Sequence, residues 1–438
     1  MVAHVGPFAA YRRLRIARLT SRKRTVARLR AAHQVELLQG GQAYFASLIQ
    51  TVDHSGHEVR LETYIFNLDA LGRRVAEALE RAALRGVRVY VMMDGVGTPQ
   101  LPPEWMERFD RSGVSWRIFL PLGQLGMFIP SRWRRMHRKL CVVDGLVAYC
   151  GGINVLDDFF DPNYGTLSEP RLDFAVRVTG PLVQDALESM TRFWQRLTMA
   201  AEVRGGDIPV AWKSLQRSVR QALSDRMGGQ SRAPDEPATQ IDGVAGHDAR
   251  ADLVLRDNLR NRSRIERTYL KAIGDARQEV IIANAYFLPG AKLRRALIHA
   301  ALRGVRVRLL LQGRYEYFLQ YHASRPLYGS LLDAGVEIHE YAASFLHAKV
   351  AVIDFHWATV GSSNLDPLSL LLAREANVVV DDREFAASLR ARLEHAMAHG
   401  GRKVDAAEFS NRPWHQRVLE TLALAATRTG LFLIGRRY

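Results

Sequence analysis

Cysteine is scarce in this chain, and long apolar runs are missing. The 438 residues include two cysteines, Cys141 and Cys150, both in one short apolar stretch. Cysteines placed in this way are typical of small buried side chains rather than of a disulfide framework. No uncharged apolar run reaches the roughly 18 residues of a transmembrane helix. The arginine-rich start is not followed by the apolar segment of a secretory signal. We therefore expect any membrane contact to be peripheral.

Acidic residues are also few relative to basic ones. Lys and Arg number 61 against 45 Asp and Glu, which gives a formal net charge of +16. No acidic residue precedes Glu36, so the N-terminal arginines form a purely basic run, for which a solvated tail is the ordinary interpretation. Such a charge attracts polyanions, and nucleic acid and an anionic membrane both fit it. The charge alone does not distinguish between these partners.

What the chain does contain is an internal repeat. The octapeptide AALRGVRV at residues 82–89 recurs unchanged at 300–307, and the same order of strand-like and helix-like segments surrounds each copy. This alternation predicts an α/β fold of two tandem repeats, each a mixed, mostly parallel sheet flanked by helices. Gly86 and Gly304 are expected to end a helix in each repeat.

Composition along the chain predicts where its segments begin and end. A stretch rich in Gly, Pro and Ser separates the repeats and carries one short predicted helix at 212–224. The predicted segments are a basic N-terminal extension at 1–34, a first repeat at 35–203, a linker at 204–250, a second repeat at 251–400 and an amphipathic, membrane-associated C-terminal segment at 401–438.

Each repeat carries one copy of the motif His-x-Lys-x4-Asp. The two copies are His137, Lys139 and Asp144, followed by Asn154, and His347, Lys349 and Asp354, followed at the same spacing by Asn364. Two matches at equivalent places in a repeat exclude chance. The His and Lys of a copy are two residues apart at the start of an apolar strand, so both side chains point to the same face. Convergence of the two copies predicts one cationic pocket for one phosphate.

These residue types suit the transfer of a phosphodiester. The two lysines and the two asparagines would neutralise an anion that otherwise repels nucleophiles. A neutral imidazole attacks phosphorus to give a phosphohistidine, while the second histidine donates a proton to the leaving alkoxide and later accepts one from the incoming hydroxyl. A lone histidine is usually a core residue, but a duplicated set argues against that interpretation. Because lysine is not a usual metal ligand, we expect no metal here.

The paired motifs resemble the signature of the phospholipase D superfamily, and the resemblance extends over almost the whole chain. Within the superfamily, residues 66–97, 134–139, 283–290 and 357–369 look closely like the bacterial cardiolipin synthases, particularly the B-type enzymes without N-terminal membrane spans. The resemblance implies that the two repeats pack with pseudo-twofold symmetry around one active site that needs no cofactor.

The resemblance also implies roles for individual residues. It makes an active-site set of His137, Lys139, Asp144, His347, Lys349 and Asp354, in which the aspartates orient side chains and balance charge. Asn154 and Asn364 are expected to contact the phosphate. Asp173 and Glu375 are expected to be acidic partners of the histidines. Ser362 is expected to add a phosphate contact that the first repeat lacks, because Gly152 stands at the equivalent position. His137 is the expected nucleophile.

The surroundings of the motifs favour lipid over nucleic acid as the substrate. An apolar run at 125–130 precedes a basic cluster at 132–135, which suits insertion among anionic headgroups, although a buried loop remains an alternative. The aromatic stretch at 315–321 fits a membrane interface or ordinary core packing. Residues 414–438 fit an amphipathic helix that lies in the interface.

We therefore expect a cardiolipin synthase that moves a phosphatidyl group from one phosphatidylglycerol to another through a phosphohistidine, giving cardiolipin and glycerol. The expected partner is an anionic phospholipid membrane, bound peripherally at the cytoplasmic side of a bacterial inner membrane. Nucleic acid is not an expected partner. The alternatives are a phospholipase D-type hydrolase or transphosphatidylase with another donor, a phosphodiesterase nuclease, and a membrane scaffold with a relic site. Two complete motifs argue against the scaffold. The oligomeric state stays open.

Overall fold

The computed structural model describes residues 26–121, 133–204, 248–257, 261–315 and 318–433. The apolar run at 125–130 and the predicted linker helix at 212–224 lie outside these residues, as do Glu316 and Tyr317 of the aromatic stretch. The fold and the site below are built from the described residues.

The first repeat alternates strands and helices and ends in a long helix. Its elements are β1 (Arg30–Gln39), α1 (Gly40–Asp53), β2 (Glu58–Thr63), α2 (Ala70–Leu84), β3 (Arg88–Asp94), α3 (Pro103–Ser112), β4 (Ser115–Phe119), β5 (Lys139–Val143), β6 (Val147–Gly151), β7 (Phe160–Asp161), β8 (Gly165–Thr166), β9 (Phe174–Thr179) and α4 (Leu182–Arg204).

The second repeat follows a closely similar order and is extended at its C-terminal end. Its elements are β10 (Ala249–Arg256), α5 (Arg264–Asp275), β11 (Glu279–Asn284), α6 (Ala291–Leu302), β12 (Arg306–Gln312), α7 (Phe318–Ser324), a 3-10 turn (Arg325–Leu327), α8 (Tyr328–Leu332), β13 (Glu337–Tyr341), β14 (Lys349–Ile353), β15 (Trp357–Gly361), α9 (Pro367–Leu371), β16 (Glu375–Asp381), α10 (Arg383–Gly400), β17 (Gly401–Lys403), α11 (Ala406–Ser410) and α12 (Trp414–Leu433).

The repeated octapeptide forms the same local structure in both repeats. It ends α2 and begins β3 in the first repeat, and it ends α6 and begins β12 in the second. Gly86 and Gly304 have φ values of 91° and 88°, in the left-handed region that is strained for residues with a Cβ. The prediction that both glycines end a helix is confirmed.

One mixed sheet runs through both repeats, in the order β17-β13-β12-β11-β14-β15-β16-β10-β1-β9-β6-β5-β2-β3-β4. The prediction of a mostly parallel sheet is wrong. Among the described strands of this sheet, four neighbouring pairs run parallel, β2–β3, β3–β4, β11–β12 and β12–β13. The other ten pairs run antiparallel. Tight turns join β5 to β6 and β14 to β15, and a strand returning through so short a turn must run antiparallel.

The two repeats meet at β1 and β10 in the middle of the sheet. These strands pair antiparallel, with Arg30 opposite Ala251, and the strand order outward from them is equivalent on the two sides. The predicted α/β fold of two repeats related by pseudo-twofold symmetry is confirmed. Because β1 begins at Arg30 and β10 at Ala249, strand residues extend into the ranges predicted as N-terminal extension and linker.

The central hydrophobic core belongs to both repeats. Phe174 of β9, Val350 of β14 and Leu389 of α10 are all fully buried in one apolar cluster beneath the seam. Each repeat adds a second cluster on the outer face of its own half of the sheet. Cys141 and Cys150 are buried free thiols, so their prediction as small core residues is confirmed.

The C-terminal helix α12 packs against the second repeat. Glu420 is buried and accepts hydrogen bonds from Arg412, while Ala423 and Leu424 pack on Ala323 of α7 and on the 3-10 turn. In the described part of the chain, no helix has both the length and the apolar character to cross a bilayer.

Candidate active site

Backbone hydrogen bonds between the repeats position the two motif histidines. The N–H of His137, which lies just before β5, donates to the carbonyl of Arg374 over 3.0 Å. The N–H of His347, just before β14, donates to the carbonyl of Leu172 over 2.9 Å. Each histidine is thus held beside a segment of the opposite repeat.

The residue that follows each of these carbonyls is an acid, and it binds the histidine of the other repeat. Nδ1 of His137 lies 3.0 Å from Oε1 of Glu375, and Nδ1 of His347 lies 2.6 Å from Oδ2 of Asp173. A carboxylate that holds Nδ1–H fixes the tautomer and leaves Nε2 available for chemistry. Asp173 and Glu375 therefore lie where acidic partners of the histidines were predicted, and each pair crosses the repeat boundary.

Both motif lysines are buried and donate to the backbone of their own motif. Nζ of Lys139 donates to the carbonyl of His137 over 2.8 Å, and Nζ of Lys349 donates to the carbonyl of His347. Burial, with the neighbouring charge of Lys349, lowers the pKa of Lys139 to about 7. Each ammonium group lies beside a histidine of the same cavity, so the lysines of both repeats contribute positive charge there.

The same environment acts on the histidines and their acids. Burial first, and then the nearby lysines, lowers the pKa of His137 and lowers that of His347 further. Burial raises the pKa of Asp173 to about 7 despite the charge of Lys349. Burial also acts to raise the pKa of Glu375, but His137 and Lys139 outweigh it and hold that pKa below its usual value. The two histidine–acid pairs therefore differ in how readily they hold a proton.

Both motif asparagines line the cavity into which the histidines open. This cavity has a volume of about 270 Å³ and is lined by His137, His347, Asn154 and Asn364 together. Oδ1 of Asn154 accepts the N–H of Ile65 over 3.2 Å, which leaves its amide nitrogen to donate. Oδ1 of Asn364 is buried and accepts no hydrogen bond among the described residues. The cavity thus gathers imidazoles and amides from both repeats around a space suited to one phosphate.

A family sequence profile described as "Cardiolipin synthase, PLD-like domain" matches residues 48–169 and 269–397, once in each repeat. The chain belongs to this family. Cardiolipin synthase B of Escherichia coli strain K12 is 36% identical over 416 residues, which are 93% of this chain and 90% of that protein. The cardiolipin synthase of Halalkalibacterium halodurans is 27% identical and covers 88% of this chain and 70% of its own length.

The fold is also that of a solved phospholipid enzyme. The crystal structure of phosphatidylserine synthase from Haemophilus influenzae Rd KW20 covers 94% of this chain and 98% of its own, with a TM-score of 0.64 and 12% sequence identity. At that identity the likeness supports the fold alone. The predicted resemblance to the phospholipase D superfamily, and within it to the cardiolipin synthases, is confirmed by the profile and the relatives.

The motif aspartates of this family member lie away from the cavity. The carboxylate of Asp144 accepts the N–H groups of Gly56, His57 and Glu58, each over 2.8 Å. Asp354 does the same in the second repeat, with Arg277, Gln278 and Glu279. A five-residue strand, about 16 Å at 3.3 Å per residue, separates each aspartate from its lysine. Each aspartate holds the turn at the far end of the strand, and its role in the active-site set stays a prediction.

Ser362 contacts an acid of the site. It is fully buried, and its hydroxyl donates to Oε2 of Glu375 over 2.5 Å. The binding of phosphate by Ser362 stays a prediction, since its hydroxyl proton is directed at Glu375 here. At the equivalent Gly152, a Cβ would lie 2.2 Å from Oδ1 of Asp173. The second repeat thus combines a serine with the longer glutamate, and the first repeat combines a glycine with the shorter aspartate.

Two further residues contact the site without belonging to a motif. The ring of Tyr64 lies edge-on to His137, with centroids 4.9 Å apart, and Nζ of Lys139 lies 5.4 Å from the ring centre. Arg171 lines the cavity and contributes to the lowered pKa of His347. Tyr64 directly follows β2, the neighbour of β5 in the sheet, and Arg171 lies two residues before Asp173. These positions, one beside a strand next to the motif strand and one beside a predicted acid, are the sequence features that could have identified Tyr64 and Arg171.

Clustered metal ligands are not found at this site. In the described ranges, no three His, Cys, Asp or Glu side chains form a group suited to a metal ion. The cavity lining combines imidazoles, amides and the guanidinium groups of Arg135 and Arg171, which suit a bound oxyanion, with four aspartates, one of which is the partner of His347.

Proposed function

We propose that this chain synthesises cardiolipin from two molecules of phosphatidylglycerol and releases glycerol. The observation that carries the proposal is the pair of histidines in one cavity, each bound by an acid of the opposite repeat and accompanied by a lysine. The relatives named cardiolipin synthase, of which one is 36% identical over 93% of this chain, support this substrate class.

In the first step, Nε2 of His137 attacks phosphorus and the bond to the glycerol headgroup breaks. Glu375 supports this role, because its carboxylate stays ionised and holds Nδ1–H of the attacking ring. His347 donates the proton that the leaving glycerol oxygen needs. The pKa of about 7 for Asp173 supports that role, because the His347–Asp173 pair then holds a proton near neutral pH.

In the second step, the hydroxyl of another phosphatidylglycerol gives its proton to His347 and attacks phosphorus. The bond between phosphorus and His137 breaks, which releases cardiolipin and restores both histidines. Lys139, Lys349 and the two asparagines bind the phosphate oxygens throughout, and their field is strongest where charge develops in the transition state. One phosphodiester replaces another, so the exchange needs no external energy source.

The membrane partner of this reaction is an anionic phospholipid surface, reached peripherally from the cytoplasmic side of a bacterial inner membrane. Trp414, Val418 and Leu422 support this proposal, because they are exposed at four-residue intervals and form one apolar stripe on α12. Arg417 and Arg428 are exposed on the same helix. An apolar stripe flanked by basic side chains is typical of helices that lie in a membrane interface. Each arginine near an anionic surface contributes about 1 kcal/mol.

The reaction is tested with purified protein and vesicles of phosphatidylglycerol, following diphosphatidyl product and released glycerol. We expect stoichiometric glycerol and cardiolipin, and an acid-quenched intermediate with phosphate on His137 by mass spectrometry. A phosphohistidine at His347 would reverse the two roles. Cleavage of plasmid DNA with no turnover of vesicles would instead support the nuclease.

Membrane attachment is tested separately by vesicle sedimentation. Leu422→Glu should weaken binding to phosphatidylglycerol vesicles at least tenfold, because it places a charge where an apolar side chain is buried in lipid. Thr421→Glu is the matched control, since it adds the same charge at an exposed position beside the stripe. Equal losses in both variants would refute the assignment of the stripe.

A further inference from the structure

A second cavity, which we call the α12 groove, lies between α12 and the body of the second repeat. It has a volume of about 450 Å³. Its wall on the second repeat includes Ala285, Phe287, Leu288, Leu319 and Pro367. Its other wall is one face of α12. Apolar side chains thus make up much of the wall opposite the helix, and that wall also includes the charged side chains of Arg314 and Asp366.

The face of α12 that lines the groove consists of small residues. Ala426, Thr427 and Gly430 line it, and Gly430 has no atom within 4 Å of the position that a Cβ would occupy. The hydroxyl of Thr427 donates to the carbonyl of Ala423 over 2.9 Å, so this hydroxyl is satisfied within the helix. Small side chains on one face keep α12 from filling the space beside it.

Three polar side chains that line the groove have hydrogen-bond partners outside it, whereas Oε1 of Gln320, at the border with the active-site cavity, is buried without one among the described residues. Oε1 of Gln312 accepts the N–H of Leu346 over 3.0 Å, and the hydroxyl of Ser324 donates to the carbonyl of Tyr321 over 3.0 Å. The hydroxyl of Tyr321 accepts a hydrogen bond from Arg325 over 2.6 Å. Because these three side chains already have partners, an apolar ligand would leave them satisfied.

The α12 groove adjoins the active-site cavity. Trp133, Tyr286, Gln320 and Asp366 line both cavities. A ligand whose phosphate lies between His137 and His347 would reach the groove by passing these residues. Phosphatidylglycerol has the form of such a ligand, since its phosphate is attached to a glycerol that carries two acyl chains.

We propose that the α12 groove binds one acyl chain of the phospholipid substrate while its phosphate lies between the two histidines. This inference rests on the proposed function, since it takes phosphatidylglycerol as the substrate. It assigns to the C-terminal helix a role in selecting the substrate by chain length, which is separate from membrane attachment by the stripe of Trp414, Val418 and Leu422.

The test uses short-chain phosphatidylglycerols at concentrations where both are monomeric, so that no membrane contributes. The full chain is assayed for glycerol release with dihexanoyl and dioctanoyl substrates. Each methylene that the groove removes from water should improve kcat/KM about fourfold. The two additional methylenes of one chain should therefore favour the dioctanoyl substrate by about 15-fold in the unmodified protein.

Two variants narrow the groove, and one control leaves it open. Ala426→Trp places a large side chain in the groove, and Gly430→Leu fills it from the next turn of the helix, where open space surrounds the glycine. Ala425→Trp is the matched control, because Ala425 is exposed on the same helix and does not line the groove. Circular dichroism establishes that each variant is folded, and Gly430→Leu carries the test if Ala426→Trp does not fold.

We expect the 15-fold preference to fall at least fourfold in the groove variants and to persist in Ala425→Trp. An unchanged preference in both groove variants would overturn the acyl-chain site while leaving the cardiolipin synthase proposal intact. A preference near one in the unmodified protein would do the same. Failure of the unmodified protein to release glycerol from either substrate would instead refute the proposed function, and the groove assignment with it.

Discussion

The substitution Gly152→Ser should disable the histidine of the opposite repeat. A Cβ at position 152 would lie 2.2 Å from Oδ1 of Asp173 and 2.6 Å from its Oδ2, far inside van der Waals contact. The carboxylate must move to admit the new side chain. Asp173 is buried and lies 2.6 Å from Nδ1 of His347, so this movement breaks the hydrogen bond that orients the ring.

The size of the effect follows from the bond that is lost. A hydrogen bond to a charged group contributes about 1.5–3 kcal/mol. If the transition state depends on it fully, kcat should fall about 10- to 150-fold. The assay is glycerol release at saturating phosphatidylglycerol, with thermal unfolding measured in parallel to establish that the variant is folded.

The second repeat supplies the compensating change. There Ser362 coexists with the longer side chain of Glu375 and donates to it. The double variant Gly152→Ser with Asp173→Glu copies that combination into the first repeat and should recover much of the lost activity. Ser362→Gly is the control, and it should lose less than Gly152→Ser because the bond between His137 and Glu375 remains. Wild-type kcat in Gly152→Ser, or a double variant no better than the single one, would refute the reasoning.

Three other predictions follow from the site. His137→Ala or His347→Ala should abolish glycerol release without changing the circular dichroism spectrum, and near-normal turnover in either variant would contradict a shared site. A lysine loses its charge as pH rises through its pKa, so the pKa of about 7 for Lys139 predicts that kcat/KM falls above about pH 7. Lys139→Arg should shift that decline upward, and an unmoved decline would assign it to another group. Asp144→Ala and Asp354→Ala should each lower the free energy of unfolding by about 1–3 kcal/mol in urea, because backbone N–H groups lose their acceptor. A loss of kcat in these variants as large as in His137→Ala would place the aspartates in the mechanism.

The sequence predicted the part of the site that repetition makes visible. The spacing of His137 and Lys139, found again at His347 and Lys349, predicted that four side chains share one cavity. The structure places both histidines in one cavity, and each lysine donates to the backbone carbonyl of its own histidine. Asn154 and Asn364 followed from the same duplicated spacing. The spacing within each motif was enough to predict these positions, because the His and Lys of a motif lie at the start of one strand.

The sequence was least informative where the position of a side chain depended on the length of a strand or on the alignment of neighbouring strands. Asp144 is near Lys139 in sequence, but Lys139 begins β5 and Asp144 follows its other end, where it accepts backbone N–H groups. Ser362 faces Glu375 rather than the cavity, which depends on how two neighbouring strands align. The sheet was predicted as mostly parallel because helices alternate with strands, yet the hairpins and the central seam make most pairs antiparallel.

The exchange of acids between the repeats has a consequence for how such a chain could have arisen. In a polypeptide with one repeat, the histidine and the acid would belong to different histidine–acid pairs. Such a chain would need a second copy, joined through the β1–β10 seam, to form either pair. In a symmetric dimer both acids are necessarily the same residue. Fusion of two copies into one gene allows the acids of the two repeats to differ. The coexistence of Asp173 with Gly152 and of Glu375 with Ser362 is a difference that a symmetric dimer of identical chains cannot have.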